Sequence, residues 1–192
     1  MLDNLWIIPA FPLLGVALNA FLGYRLGRRF VNLIGPAAIG LGFIAAAVAV
    51  WQLVGLPAAE RAVNQSLFTW IAVGDFRVEA ALLLDPLSAV MILVVTGVGF
   101  LIHVYSVGYM AHDESYARYF TYLNLFTFSM LTLVLANNYL LLYVGWELVG
   151  ICSYLLIGFW FTRKSAAAAG KKAFIVNRIG DFGFALGIML IF

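Results

Sequence analysis

Cysteine is nearly absent from this 192-residue chain: Cys152 stands alone, so no disulfide can close within it. With two histidines, His103 and His112, far apart in sequence, that leaves too few ligands for a zinc or iron–sulfur site, and no metal is expected. Charge is scarce as well, at 10% of residues against about 25% in an ordinary soluble domain. There is no phosphate loop, no dinucleotide fingerprint and no nucleophile motif, which argues against nucleotide and acyl-transfer chemistry. The small net charge of +2 comes from cations in short loops, so nucleic acid is not an expected partner. No lysine or arginine precedes the first apolar run; Arg25, Arg28 and Arg29 follow it. That polarity is wrong for a cleaved signal peptide, and the run is kept as a span.

What the chain has is apolar surface. It is 65% hydrophobic, with a mean hydropathy of +1.02. This composition predicts an all-α polytopic membrane protein whose lipid bilayer is its solvent. Six stretches are long enough, or nearly so, to cross: Leu5–Tyr24, Phe30–Val54, Pro86–Met110, Tyr119–Ala136, Tyr139–Phe161, and one from about Lys172 to Phe192. An apolar helix still running at Phe192 is expected to belong to the front part of a longer protein.

Loop cations set the orientation. Connections 1–2, 3–4 and 5–6 carry Arg25, Arg28, Arg29, Arg118, Arg163, Lys164, Lys171 and Lys172, against Arg61 and Arg77 on the other side. The N-terminus is therefore expected outside. In the long outer connection, Phe76, Val78 and Ala80 alternate with Arg77 and Glu79 after Gly74-Asp75, which predicts a short β-hairpin. Asp85-Pro86 reads as an N-cap followed by proline at the first helical position, in preference to an ion entrance. The chain divides into residues 1–65 (two helices and the start of the outer loop), 66–118 (hairpin and third helix) and 119–192 (the start of a transmembrane domain).

Three ionisable residues fall deep within spans: Glu147, Arg178 and Asp181. A charge at mid-helix costs about 2.5–3.5 kcal/mol on insertion scales, so such residues are candidate functional groups. Tyr143, Gly150, Ile151 and Tyr154 share the face of Glu147. Arg178 and Asp181, three apart, share a face, and Lys171 extends that stripe. Two readings stand for each. Glu147 is either a neutral buried acid or half of a proton relay; Arg178 and Asp181 are either a packing ion pair or its charge partners. Burial favours the neutral acid and a neighbouring cation the ionised one. Moving a cation on an adjacent helix would then load or unload a proton. His103 is a weaker candidate, either a shuttle or a packed, hydrogen-bonded ring. His112 reads as a loop residue and Cys152 as a packing residue.

Three long stretches carry a family resemblance: "TGVGFLIHVYSVGYMAHDESYARYF", "GWELVGICSYLLIGFWF" and "KKAFIVNRIGDFGF". They resemble the subunit L family of NADH-quinone oxidoreductase, the largest antiporter-like membrane subunits of respiratory complex I. The resemblance runs from about Leu84 to Phe192; the residues before it agree mainly in layout. The chloroplast-type counterparts and, more distantly, the large subunit of Mrp cation/proton antiporters are similar. The resemblance implies inverted helical repeats, a long lateral helix and a proton channel. In that channel the glutamate matching Glu147 pairs with a lysine on a broken helix beyond Phe192, and Arg178 and Asp181 match the family's arginine and aspartate. It also implies a bacterial inner (cytoplasmic) membrane location. Implied partners are the other membrane-arm subunits, above all the neighbouring antiporter-like subunit. The parent complex would use NADH, FMN, iron–sulfur clusters and quinone, none bound by this chain. An Mrp-type Na⁺/H⁺ antiporter subunit and a purely structural membrane anchor remain alternatives.

Overall fold

A computed structural model describes residues 1–191. Six helices and one hairpin follow in the order α1 (Ile7–Leu26), α2 (Arg28–Val54), β1 (Val63–Val73), β2 (Phe76–Leu84), α3 (Pro86–Tyr109), α4 (Tyr116–Val134), α5 (Tyr139–Ile157) and α6 (Lys164–Ile191). The chain is a mostly helical, multi-pass membrane protein. Five of the six helices are long and apolar enough to cross a bilayer: α1, α2, α3, α5 and α6. The exception, α4, carries Asn124, Thr127, Ser129 and Thr132. Its position explains its polarity, because it packs against α1, α2, α3 and α5 in the middle of the bundle. Lipid rejects such side chains, but neighbouring helices accept them.

Small residues set the helix spacing. A Cβ on Gly145 of α5 would lie 2.7 Å from the backbone nitrogen and Cα of Leu133 on α4. Only hydrogen fits at that crossing. Deeper in the bundle, fully buried Phe120 of α4 occupies the space left by Gly35 of α2. Tyr116 and Tyr119 flank it, with ring centroids at 5.0 and 5.6 Å.

The hairpin is longer than the short one expected from its turn. Gly74, at φ +59°, opens the two-residue connection and adopts a conformation that costs other residues strain. The alternation read over Phe76–Ala80 does not continue beyond it. Ala80, Ala81 and Leu82 are buried in succession. The α4–α5 turn covers the free edge of β2: Leu83 N–H donates to Leu135 C=O at 2.7 Å and Asn137 N–H to Ala81 C=O at 3.1 Å. The turn pairs backbone groups that this edge would otherwise leave open. Gln65 ties β1 to the N-terminus, accepting from Leu5 N–H and donating to Asp3 C=O, each at 2.6 Å.

Asp85 caps α3 as its sequence predicts. Its carboxylate accepts from Ser88 N–H at 2.7 Å, while Ser88 Oγ accepts from Asp85 N–H at 2.7 Å. This reciprocal pair satisfies two donors that the first turn leaves open. The Ser88 backbone hydrogen bond holds the Asp85 carboxyl below its ordinary value of 3.8.

The largest boundary differences from the hydropathy reading lie at the α5–α6 connection. α5 ends at Ile157, not Phe161, and α6 starts at Lys164, not near Lys172. The run Ala166–Ala169 forms helix readily without being strongly apolar, so hydropathy misses its first turns. Lys164, Lys171 and Lys172 thus sit on α6 itself, and Arg163 lies in the connection before it.

Candidate functional site: a carboxylate–guanidinium cluster between α5 and α6

α5 and α6 pack side by side, and the three intramembrane charges meet between them. Arg178 donates to Glu147 Oε2 across the helix pair. Its other terminal nitrogen lies 2.8 Å from Asp181 Oδ2 on its own helix. One guanidinium thus bridges two carboxylates, and the planar fork suits it to do so. Glu147 lies near the middle of α5, about 12 Å from its start at 1.5 Å per residue. Its carboxylate meets a cation 31 residues away in sequence.

The surroundings hold the guanidinium in place. Gly150, one turn beyond Glu147, leaves room for it: a Cβ there would sit 3.1 Å from Arg178 Nη2. The Phe174 ring lies under Arg178, with its centroid 5.2 Å from Cζ. Trp146 Nε1–H donates to Asp181 Oδ1 at 2.8 Å, and the Arg178 charge lies beside the other oxygen without a well-aligned hydrogen bond. Phe184 packs on Tyr143 and Trp146, and Phe174 on Tyr154, above and below the charges. A cavity of about 330 Å³ adjoins the cluster, lined by Trp146, Gly150, Ser153, Asn177 and Asp181 among others. Asp181 is buried, whereas the side chains of Glu147 and Arg178 remain 22% and 33% exposed.

The other candidates fall outside the cluster. Lys171 is exposed two turns before Arg178, and no ion pair joins it among the described residues. His103 is buried on α3, its Nδ1 at 2.7 Å from Gly99 C=O. Cys152 is buried on α5, 3.5 Å from Ser129 Oγ of α4. Trp146 joins the site without any mark in the sequence. Its place beside Glu147 in "GWEL" gives no sign that its N–H reaches a carboxylate 35 residues on.

Known proteins match along the chain. Residues 70–120 match the family described as NADH-ubiquinone oxidoreductase (complex I), chain 5 N-terminus. Residues 136–192 match the family described as NADH:quinone oxidoreductase/Mrp antiporter, TM. NADH-quinone oxidoreductase subunit L of Mycobacterium tuberculosis is 50% identical over 97% of this chain and 29% of its own length. NAD(P)H-quinone oxidoreductase subunit 5, organellar chromatophore 1, of Paulinella chromatophora is 46% identical over 99% of this chain and 29% of its own length. The chain thus spans less than a third of the curated relatives it matches. Among solved structures, the Mrp complex from Dietzia sp. aligns with a TM-score of 0.76 and 26% identity over 95% of this chain and 19% of its counterpart. A membrane-bound sulfane sulfur reductase, an archaeal respiratory membrane complex, shares the fold, with a TM-score of 0.79 at 20% identity over 98% of this chain and 37% of its counterpart. The chain belongs to the antiporter-like family of NADH-quinone oxidoreductase membrane subunits, in the branch named subunit L or subunit 5.

Proposed function

We propose that this chain is part of a proton-translocating membrane-arm subunit, one that couples electron transfer from NADH to quinone to proton movement across a bacterial cytoplasmic membrane. The observation that carries the reading is Arg178 held between Glu147 and Asp181 within the membrane-spanning helices. The three groups sum to −1 with both carboxylates ionised and to zero when one holds a proton. A guanidinium drawn toward Asp181 uncovers Glu147, which then takes a proton; its return displaces that proton. The carboxylates bear the proton, Arg178 is the movable counter-charge, and Trp146 and Gly150 position the pair. Lys171, on the same α6 stripe, would serve as an approach for protons, and His103 as a separate shuttle on α3. The redox groups, NADH, FMN, iron–sulfur clusters and quinone, belong to other subunits in this reading. The partners are the other membrane-arm subunits, first the neighbouring antiporter-like one. The N-terminus and the hairpin lie outside, and the loops bearing Arg25–Arg29 and Arg163 inside. Labelling of a cysteine placed at Gly74 in sealed vesicles tests that orientation: reaction from the cytoplasmic side would invert it.

The central test replaces Glu147 by Gln in the full-length subunit and measures NADH-driven acidification of vesicles, normalised to assembled complex. Gln keeps a hydrogen bond to Arg178 but neither releases a proton nor bears charge. Assembly is expected to survive and pumping to fall strongly, with Glu147→Asp intermediate. A Gln variant that assembles and pumps like wild type would make the cluster structural and support the membrane-anchor reading. The likeness to the Mrp complex favours a second reading, a Na⁺/H⁺ antiporter subunit. Proton movement that follows a Na⁺ gradient without NADH would select it.

A further inference from the structure

Arg118 is the one cation of α4, and it stands in the first turn. The positive end of a helix dipole favours anions and disfavours cations. Yet α4 has no acid in that turn, and its N-cap Ser115 makes no side-chain cap bond. No carboxylate pairs with Arg118 among the described residues. Its Nη2 donates to Phe159 C=O at 3.2 Å, just past the end of α5, and its Nε is buried without a partner. The rings of Phe159 and Phe161 lie against the guanidinium, with centroids 4.8 and 5.0 Å from Cζ. A tether between α4 and the end of α5 explains the carbonyl and the rings. It leaves the positive charge without a counter-charge.

That charge borders a cavity of about 230 Å³, which Tyr122, Tyr154, Leu155, Gly158 and Phe161 also line. The hydroxyls of Tyr122 and Tyr154 make no hydrogen bond among the described residues. The lining thus brings together a held guanidinium, two phenols able to donate, and apolar walls, with no acid among them. More cations collect at this end of the bundle. Arg28 donates to the carbonyls of Ala111 and Asp113 in the turn before α4. The Asp113 carboxylate accepts from Trp160 Nε1–H at 2.8 Å, and Arg163 lies 5.1 Å from the centroid of the Trp160 ring. Lys164 follows and is exposed. The only acids in the α3–α4 and α5–α6 connections are Asp113 and Glu114, so positive charge is in excess. Trp160 and Phe161 are 40% and 61% exposed beside the cavity. Such rings mark the level where a span meets lipid headgroups.

We propose that the Arg118 cavity binds an anionic phospholipid, with the phosphodiester against the guanidinium and the acyl chains leaving past Leu155 and Phe161. Arg118 donates from Nη1, which no protein acceptor holds among the described residues, and keeps its charge at any physiological pH. Tyr122 and Tyr154 are further donors to the phosphate oxygens. Arg163 and Lys164 favour a lipid of net negative charge over a zwitterionic one, whose own cation they repel. Inorganic phosphate would meet the same donors but gain nothing from the apolar walls. The site shares no residue with the carboxylate–guanidinium cluster. It rests on the chain's crossing a membrane and not on proton translocation.

The test uses the full-length subunit in its assembled complex, in phosphatidylcholine nanodiscs that contain a phosphatidylglycerol with a diazirine in its headgroup. After illumination, the peptides holding Arg118–Tyr122 and Tyr154–Phe161 are expected to carry the label. Unlabelled phosphatidylglycerol should displace it, whereas added phosphatidylcholine and inorganic phosphate should not. Arg118→Gln should lower the labelling about fivefold or more, the effect of removing one cation from beside an anionic lipid. Arg163→Gln leaves the Phe159 tether in place and should lower it in the same direction. Equal displacement by phosphatidylcholine would overturn the proposal in favour of unselective boundary lipid. Displacement by inorganic phosphate would overturn it in favour of a free-anion site. No label, or label unchanged in either assembled variant, would leave Arg118 a tether only.

Discussion

The bundle α1–α4 and the pair α5–α6 solve the same problem, polar groups in an apolar chain, in opposite ways. In the bundle, polarity is concentrated on the central helix, and Phe120, Asn124, Thr127 and Leu131 of α4 are all buried. On the flank, α6 buries only Gly170 and Asp181, and its apolar residues such as Ile179, Phe182 and Met189 face outward. There one guanidinium sits between two carboxylates, and the cluster is less enclosed by surrounding helices. The difference teaches that burial alone does not separate the two kinds of polar group here. The buried polar residues of α4 are mostly served by their own helix, whereas the charged pair across α5–α6 remains partly open and adjoins a cavity.

Paired substitutions sharpen this contrast, and the largest effect is expected in the bundle. Phe120→Ala should destabilise the full-length subunit by about 3–5 kcal/mol, because the cavity it leaves cannot collapse. Phe182→Ala on α6, where the ring is 69% exposed, should change stability by no more than about 0.5 kcal/mol. Denaturation in mixed micelles reads both, and equal losses would erase the distinction between the two regions. Next comes Trp146→Phe, which removes the indole N–H from Asp181. A hydrogen bond to a charged group contributes about 1.5–3 kcal/mol, and loosened α5–α6 packing should show as faster cysteine reactivity at Ser153→Cys.

Two glycines on α5 refine the comparison. Gly145→Ala meets the Leu133 backbone, which cannot yield, and should cost about 1–3 kcal/mol. Gly150→Ala meets the end of the flexible Arg178 side chain and should cost less in stability. It should, however, displace the guanidinium, so pumping is expected to fall while folding is kept. The smallest effect concerns a group outside the membrane. Asp85→Ala should cost about 1 kcal/mol through loss of the α3 cap. The native carboxyl titrates below 3.8, so the cap's contribution is complete above that value and is lost as pH falls through the lowered one. Acid denaturation should therefore move less in the variant than in the wild type.

The sequence makes the helix count, the hairpin turn and the Asp85 cap legible because each rests on local chemistry: apolar length, Gly74-Asp75, and Asp-Pro before an apolar run. It also marks Glu147, Arg178 and Asp181, since charge in a span is conspicuous. It does not join Glu147 to Arg178, because that pairing depends on how α5 and α6 are rotated against each other. Trp146 goes unmarked for the same reason. The early start of α6 escapes hydropathy because alanine is helical before it is greasy. The covering of the second edge of β2 depends on the α4–α5 turn, which lies more than 50 residues away.

The hairpin's fastenings impose a schedule on synthesis. The backbone at Asp3 and Leu5 gains its side-chain partner only when Gln65 emerges, after α1 and α2 are complete. The second edge of β2 stays open until the residues from Leu135 to Asn138 follow α4, when Asn138 donates to Glu79 C=O at 2.7 Å and its carboxamide oxygen caps α5. The hairpin is thus buckled from the chain's N-terminus forward, and α5 is started by the residue that closes the buckle. Nascent chains arrested before Leu135 should exchange the Leu83 amide hydrogen freely, and chains arrested after α5 should protect it.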